Sequence, residues 1–86
     1  MTRELKILDV YYEAKRRGDK PFEIRDNTDR GFQKGDEVIY TCVDELGIFD
    51  ICRPKLKSTI TFVIGGFGVK DGYVVFGEKD IREVEA

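Results

Sequence analysis

The chain has 86 residues, of which 37% are charged and 41% hydrophobic, and its net charge is −2. That describes one globular domain spanning 1–86 with a single small core, and it excludes a disordered or strongly basic chain. Histidine and tryptophan are absent and Ser58 is the only serine, which excludes a Ser-His-Asp triad, a Cys-His pair and any histidine-based metal site.

Ile and Val together number 16, against six for Leu and Ala, and this β-branched excess predicts an α+β, mostly β fold. Leu5 to Ile7 reads as a short strand or extended lead-in. Asp9 is placed to cap a helix over residues 10–17, with Val10, Tyr11 and Ala14 on one side of it. Lys15, Arg16 and Arg17 close its last turn, and Gly18 stands where a left-handed residue would end it.

Residues 22–26 alternate with period two, which predicts a strand with Phe22 and Ile24 inward and Glu23 and Arg25 on the opposite face. Asp26 to Gly31 is a loop by composition, and Lys34-Gly35-Asp36 is a turn. Residues 37–43 read as a strand with Val38, Tyr40 and Cys42 on one face and Ile39, Thr41 and Val43 on the other. A turn at 44–47 precedes a short edge strand at 48–52, ended by Arg53-Pro54. The clearest strand is 57–64, where Ile60, Phe62 and Ile64 alternate against Thr59, Thr61 and Val63. The glycine-rich stretch 65–72 reads as a hairpin connection leading into a last strand at 72–77. The tail from Lys79 fits a strand, a short helix or frayed chain equally. Five strands and one early helix predict a small antiparallel β-barrel with the N-terminal helix against it.

Charge is unevenly spread. From Lys15 to Lys34 seven bases face four acids, and Arg53, Lys55 and Lys57 form a second basic cluster, while Glu78 to Ala86 is acidic. Each run suits a solvated face; the two basic ones together, with Arg16 and Arg17 in the first, would line one groove for a polyanion. Cys42 and Cys52 are too few for a four-sulfur zinc site. Ten residues apart, they suit neighbouring strands, either as two buried or half-buried thiols or as a bridged pair. Met1 to Lys6 lacks the apolar stretch of a secretory signal, and no apolar run approaches the ~20 residues that span a bilayer. A cytoplasmic setting without membrane attachment is expected, with no metal and no cofactor.

Leu5-Lys6-Ile7-Leu8, Tyr11-Tyr12-Glu13-Ala14, Gly18-x-Lys20-x-x-Glu23-x-Arg25 and Gly35-Asp36 occur in that order. This pattern resembles the activating-signal-cointegrator homology (ASCH) domains of the PUA-like superfamily, closest to their small bacterial and phage members. Ile64 to Gly68 followed by Asp71 to Val75 resembles the final hairpin of the same group. The resemblance implies a PUA-like barrel with a cleft beside the helix and first long strand, holding single-stranded RNA or a nucleotide-like ligand. Lys20, Glu23 and Arg25 would line it. Arg25 offers a bidentate fork, Lys20 a mobile point charge, Glu23 an acceptor, Asn27 an amide that both donates and accepts, and Tyr73 a stacking face. An amidohydrolase of acylated cytidine in this superfamily is similar at Gly18-x-Lys20 and Arg25 but has threonine where Glu23 stands. No catalytic residue is therefore assigned; Lys20 and Glu23 are the pair a hydrolase would use. A small protein-interaction module meeting its partner through a sheet edge is the third reading.

Overall fold

The elements follow in the order β1 (Thr2–Leu8), α1 (Asp9–Arg16), β2 (Phe22–Asp26), β3 (Glu37–Val43), β4 (Lys55–Ile64) and β5 (Tyr73–Val84). The computed structural model describes residues 1–28 and 30–84. Asp29, within the expected 26–31 loop, and Glu85 and Ala86, in the acidic tail, lie outside the described residues.

All five strands join one sheet in the order β1-β3-β4-β5-β2, curled into a half-barrel. The mostly β, α+β class is as the composition predicts. The pairing departs from it once: β1 runs parallel to β3, while the other three pairs are antiparallel. A parallel pair needs a long crossover, and α1, β2 and the following loop supply it. The sheet therefore has two edges, β1 and β2, and the gap between them is where the half-barrel stays open.

Val38, Tyr40 and Cys42 are buried on one face of β3 as the alternation predicts, and they meet Leu5 and Ile7 of β1, Leu56 and Ile60 of β4, and Phe76 of β5. Phe32 joins this core with its ring 5.0 Å from that of Phe76. Alternation fails in β4. Ile60 pairs with Glu78 and Phe62 with Gly77, so β4 takes two steps where β5 takes one. This bulge reverses the faces beyond it: Phe62 is exposed and Val63 packs on the core. The tail is strand to Val84, accommodated by a second irregularity between Lys57 and Thr59 near Asp80, whose φ is +55°. No strand forms at 48–52, where only an isolated bridge joins Val43 to Phe49. Cys42 is buried and Cys52 exposed, and both are free thiols. Burial pushes the Cys42 thiol up from its ordinary value.

The helix differs from expectation in its cap and in its packed face. Leu8 is the N-cap, with no side-chain bond, and Asp9 sits in the first turn, where its charge suits the helix dipole. Tyr12 and Lys15 are the buried pair, whereas Val10 and Tyr11 are exposed. The Tyr12 hydroxyl donates to the Pro54 carbonyl at 2.6 Å, which pins α1 over the start of β4. No helix among the described residues is long and apolar enough to cross a membrane.

The helix ends as the sequence predicts. Gly18 has φ +83°; its N–H donates to the Lys15 carbonyl at 3.0 Å, and that of Asp19 to the Ala14 carbonyl at 2.8 Å. That bond pair is a Schellman motif. A Cβ at Gly18 would meet nothing within 4 Å, so Gly18→Ala should pay only the left-handed backbone penalty. A loss of about 1 kcal/mol is expected by urea denaturation, with an unchanged m-value.

Candidate functional site

A lysine in the last turn of a surface helix ordinarily reaches water. Lys15 does not: it is 0% exposed, and so leaves the basic surface in which the sequence placed it. Its ammonium donates to a Glu78 carboxylate oxygen and lies 2.9 Å from Glu23 Oε2. It also donates to the carbonyls of Lys20 and Phe22, both at 3.2 Å, and sits 4.8 Å from the centre of the Tyr40 ring. The second oxygen of Glu78 accepts from the hydroxyls of Tyr40, at 2.5 Å, and Ser58. Burial, with the Glu78 charge beside it, pushes the Tyr40 hydroxyl far above its ordinary value. A charge taken from water is tolerated only when paired and fully hydrogen-bonded, and this cluster meets that condition.

Lys15 also explains why β2 is inverted. Glu23 turns inward to meet the ammonium and is 4% exposed, so Phe22 and Ile24 face outward at 42% and 57%. This reverses the orientation that hydrophobic alternation predicts.

Glu23 joins the buried cluster to the surface. Its Oε2 accepts from Lys20 at 2.7 Å, and its Oε1 from Arg25 Nε at 3.1 Å. Burial opposes its ionisation, but the Lys15 charge, hydrogen bonds from Lys20 and Lys15, and the Arg25 charge outweigh that and hold the carboxyl below its usual range. Arg25 also donates from Nη2 to the Lys6 carbonyl at 2.9 Å. A β2 side chain thus bridges to the backbone of β1 across the open seam.

A cavity of about 370 Å³ lies in that seam, lined by Lys6, Ile7, Leu8, Tyr11, Lys20, Phe22, Glu23, Ile24 and Arg25. The Lys20 ammonium stands 5.3 Å from the Tyr11 ring centre and 5.2 Å from that of Phe22. The site therefore combines three cations, Lys6, Lys20 and Arg25, with one carboxylate engaged on both oxygens and with apolar and aromatic walls.

Lys20, Glu23 and Arg25 converge here; the other candidates lie elsewhere. Asn27 accepts from the Phe32 N–H at 2.9 Å, an amide used to hold its own loop. Tyr73 pairs with Asp26 and lies beneath the Lys70 ammonium. Arg16 pairs with Glu13 and Arg17 with Asp19. Arg53 pairs with Asp50 and stacks on Tyr12; Lys57 pairs with Glu37, and Lys55 opens β4. None of these seven lines the cavity, so the two basic clusters do not form one groove with Lys20 and Arg25. Sequence reasoning missed Lys15, Glu78, Tyr40 and Ser58. The available signal was polar residues at core-facing positions: Ser58 between Leu56 and Ile60, and Glu78 two residues after Phe76.

Residues 2–78 match a family described as a domain of unknown function, DUF3850. The chain belongs to that family. The matched span of the DUF3850 domain runs from β1 through Glu78, so it contains every member of the buried cluster and the three cleft cations. No curated protein matches the chain.

Lys15→Met would leave two carboxylates buried without their shared cation, and a loss of about 3 kcal/mol or more is expected by denaturant titration. The lowered Glu23 carboxyl contributes stability that is complete above the ordinary glutamate value, about 4.3. That contribution is lost as pH falls through the lower folded-state value. Glu23→Gln should therefore be less stable than the parent at pH 7, with the gap narrowing on acidification to pH 3. A gap that stays constant would remove the ion-pair account of Glu23.

Proposed function

We propose that this domain binds a nucleotide-like ligand, single-stranded RNA being the form expected, in the cleft between β1 and β2. The observation that carries this reading is the pairing of Lys20 and Arg25 with one carboxylate, Glu23, at the mouth of an apolar and aromatic cavity. Excess positive charge there suits a phosphate. The guanidinium provides an oriented cation with Nη1 open among the described residues and the ammonium a point charge. Tyr11 and Phe22 supply the faces on which an unpaired base stacks. The resemblance to ASCH domains supports the same reading, and a cytoplasmic setting is part of the proposal.

Hydrolysis of acylated cytidine is less well supported by the geometry. Glu23 already accepts hydrogen bonds on both oxygens and is held in its weakly basic ionised form. Ser58 is buried and donates to Glu78, whose side chain is itself sealed from solvent. Neither offers a free nucleophile or base within the cleft.

Anisotropy titrations of a short labelled single strand test the binding reading. Arg25→Ala should weaken binding about tenfold, the loss of a charge-assisted contact, whereas Arg17→Ala should change it less than about twofold. With net charge −2 only local cations act, so the slope of log affinity against log salt should be shallow, roughly −0.7 for each of a few phosphates. Equal losses at Arg16, Arg17 and Arg25 with a steep slope would mean a nonspecific surface. Purified protein should not turn over acylcytidine; robust turnover abolished by Lys20→Ala would establish the hydrolase instead.

A further inference from the structure

We propose that the cleft continues past Arg25 into a second phosphate and base subsite made by Lys6, Arg30 and Phe49. The ligand is then a short single strand of nucleic acid lying along the β1–β2 seam, not a mononucleotide. This rests on the reading of the first cavity and extends it to residues that reading does not use.

Two further concavities adjoin the first, of about 440 Å³ and about 260 Å³. Arg25 lines all three, Lys6 the first and second, and Arg30 the second and third. Shared residues connect them: Arg25 is common to all three, Lys20 lines only the first, and Arg30 lines the second and third, and the proposal takes them as one trough.

Its charge is positive by one, with four cations (Lys6, Lys20, Arg25 and Arg30) against three carboxylates (Glu4, Glu23 and Asp26), and it is unevenly committed. Lys20 and Arg25 are paired with Glu23. Among the described residues, Lys6 and Arg30 take part in none of the ion pairs. Two carboxylates also reach the trough. Glu4 lines the second concavity and Asp26 the third. Asp26 accepts from the Thr28 N–H and hydroxyl at 2.9 and 2.6 Å, bonds that hold it ionised, so it and Glu4 both oppose an anion and the cations beside them must outweigh that.

The second concavity also has an aromatic wall. Phe49 is 52% exposed, is tied to the sheet only by its bridge to Val43, and has the Lys6 ammonium 5.5 Å from its ring centre. In the first cavity Lys20 stands beside Tyr11 and Phe22 in the same way. Cation beside exposed ring, repeated in two concavities that share Arg25, is what a chain of alternating phosphates and unstacked bases requires. An acidic peptide would match the charge but leave the rings without a purpose.

The probes are uridine monophosphate and a 5′-phosphorylated uridine trinucleotide, as RNA and as DNA, titrated against the full chain. The trinucleotide should bind about tenfold tighter than the monophosphate, the worth of a further stacked base and phosphate. Arg30→Ala and Phe49→Ala should each weaken the trinucleotide about fivefold and leave the monophosphate unchanged. Arg30→Ala should also make the salt slope shallower by about 0.7. Phe49→Trp, which keeps a stacking face, should retain the affinity that Phe49→Ala loses, separating stacking from loop folding. A stronger RNA than DNA response would place a 2′-hydroxyl contact in the trough; equal responses would place recognition on phosphate and base. Both are outcomes of a bound single strand. If both probes bind, Arg25→Ala weakens both, and the Arg30 and Phe49 variants change neither, the extension is wrong while the first cavity stands. If neither probe binds, both readings fall. Tighter binding of a polyglutamate peptide than of the trinucleotide would replace the nucleic acid with an acidic protein segment.

Discussion

The burial of one ammonium, that of Lys15, sets the terms for the rest of the molecule. Its desolvation demands acceptors on several sides, and the chain supplies Glu78 from β5, Glu23 and the Phe22 carbonyl from β2, and the Lys20 carbonyl from the segment joining α1 to β2. One side chain thereby fixes the helix against the sheet, the entry of β2, and the middle of β5. Removing the charge alone would leave Glu78 buried with only the Tyr40 and Ser58 hydroxyls and Glu23 short of its inner cation, which is why such a pair is costly to break even where its net contribution is small. In a domain with one small core, a mutually satisfied ionic cluster of this kind also fixes which face of each strand turns inward.

The open seam follows from that same choice. Turning Glu23 inward sends Phe22 and Ile24 out beside the unpaired edge of β2, where they become walls of a cavity instead of core. Exposed edge strands invite pairing with other chains, and short edges and inward charges are common defences. Here β2 is five residues long, carries an inward carboxylate, and is tied to β1 by the Arg25 guanidinium on the Lys6 carbonyl. The seam is kept apart and held together by one side chain.

What was legible in the sequence was what depends on local pattern. The β-branched excess announced the class; Gly18 announced the end of the helix; Val38, Tyr40 and Cys42 announced a buried face. The Lys20, Glu23 and Arg25 cluster could be named because their positions share a turn and a strand face. What failed was decided by distant partners. Hydrophobic alternation in β2 gives the wrong face because Lys15, on another element, outweighs the transfer of Phe22 and Ile24. A bulge, set by the pairing of β4 with β5, put Phe62 outside. The parallel pairing of β1 with β3 and the continuation of β5 to Val84 are likewise properties of the assembled sheet. Asn27 looked like a ligand-binding amide because nothing local shows that its oxygen is taken by the Phe32 N–H.

Arg25 brings its structural role and the proposed binding role onto one group, and its donor geometry lets the two coexist. A guanidinium carries five N–H donors in a rigid plane. Nε and Nη2 face Glu23 and the Lys6 carbonyl, and among the described residues Nη1 makes no hydrogen bond. An anion arriving at Nη1 finds a cation already oriented by bonds it need not break, so little ordering cost is added at the moment of binding. Lysine could not do the same, since a single ammonium reaching for the Lys6 carbonyl has no second nitrogen to present outward. The order of dependence then runs one way: Lys15 holds Glu23, Glu23 holds Arg25 in plane, and Arg25 presents its free edge to the seam. A fault in the buried cluster would be read at the surface as a misaimed guanidinium, well before the fold itself is lost.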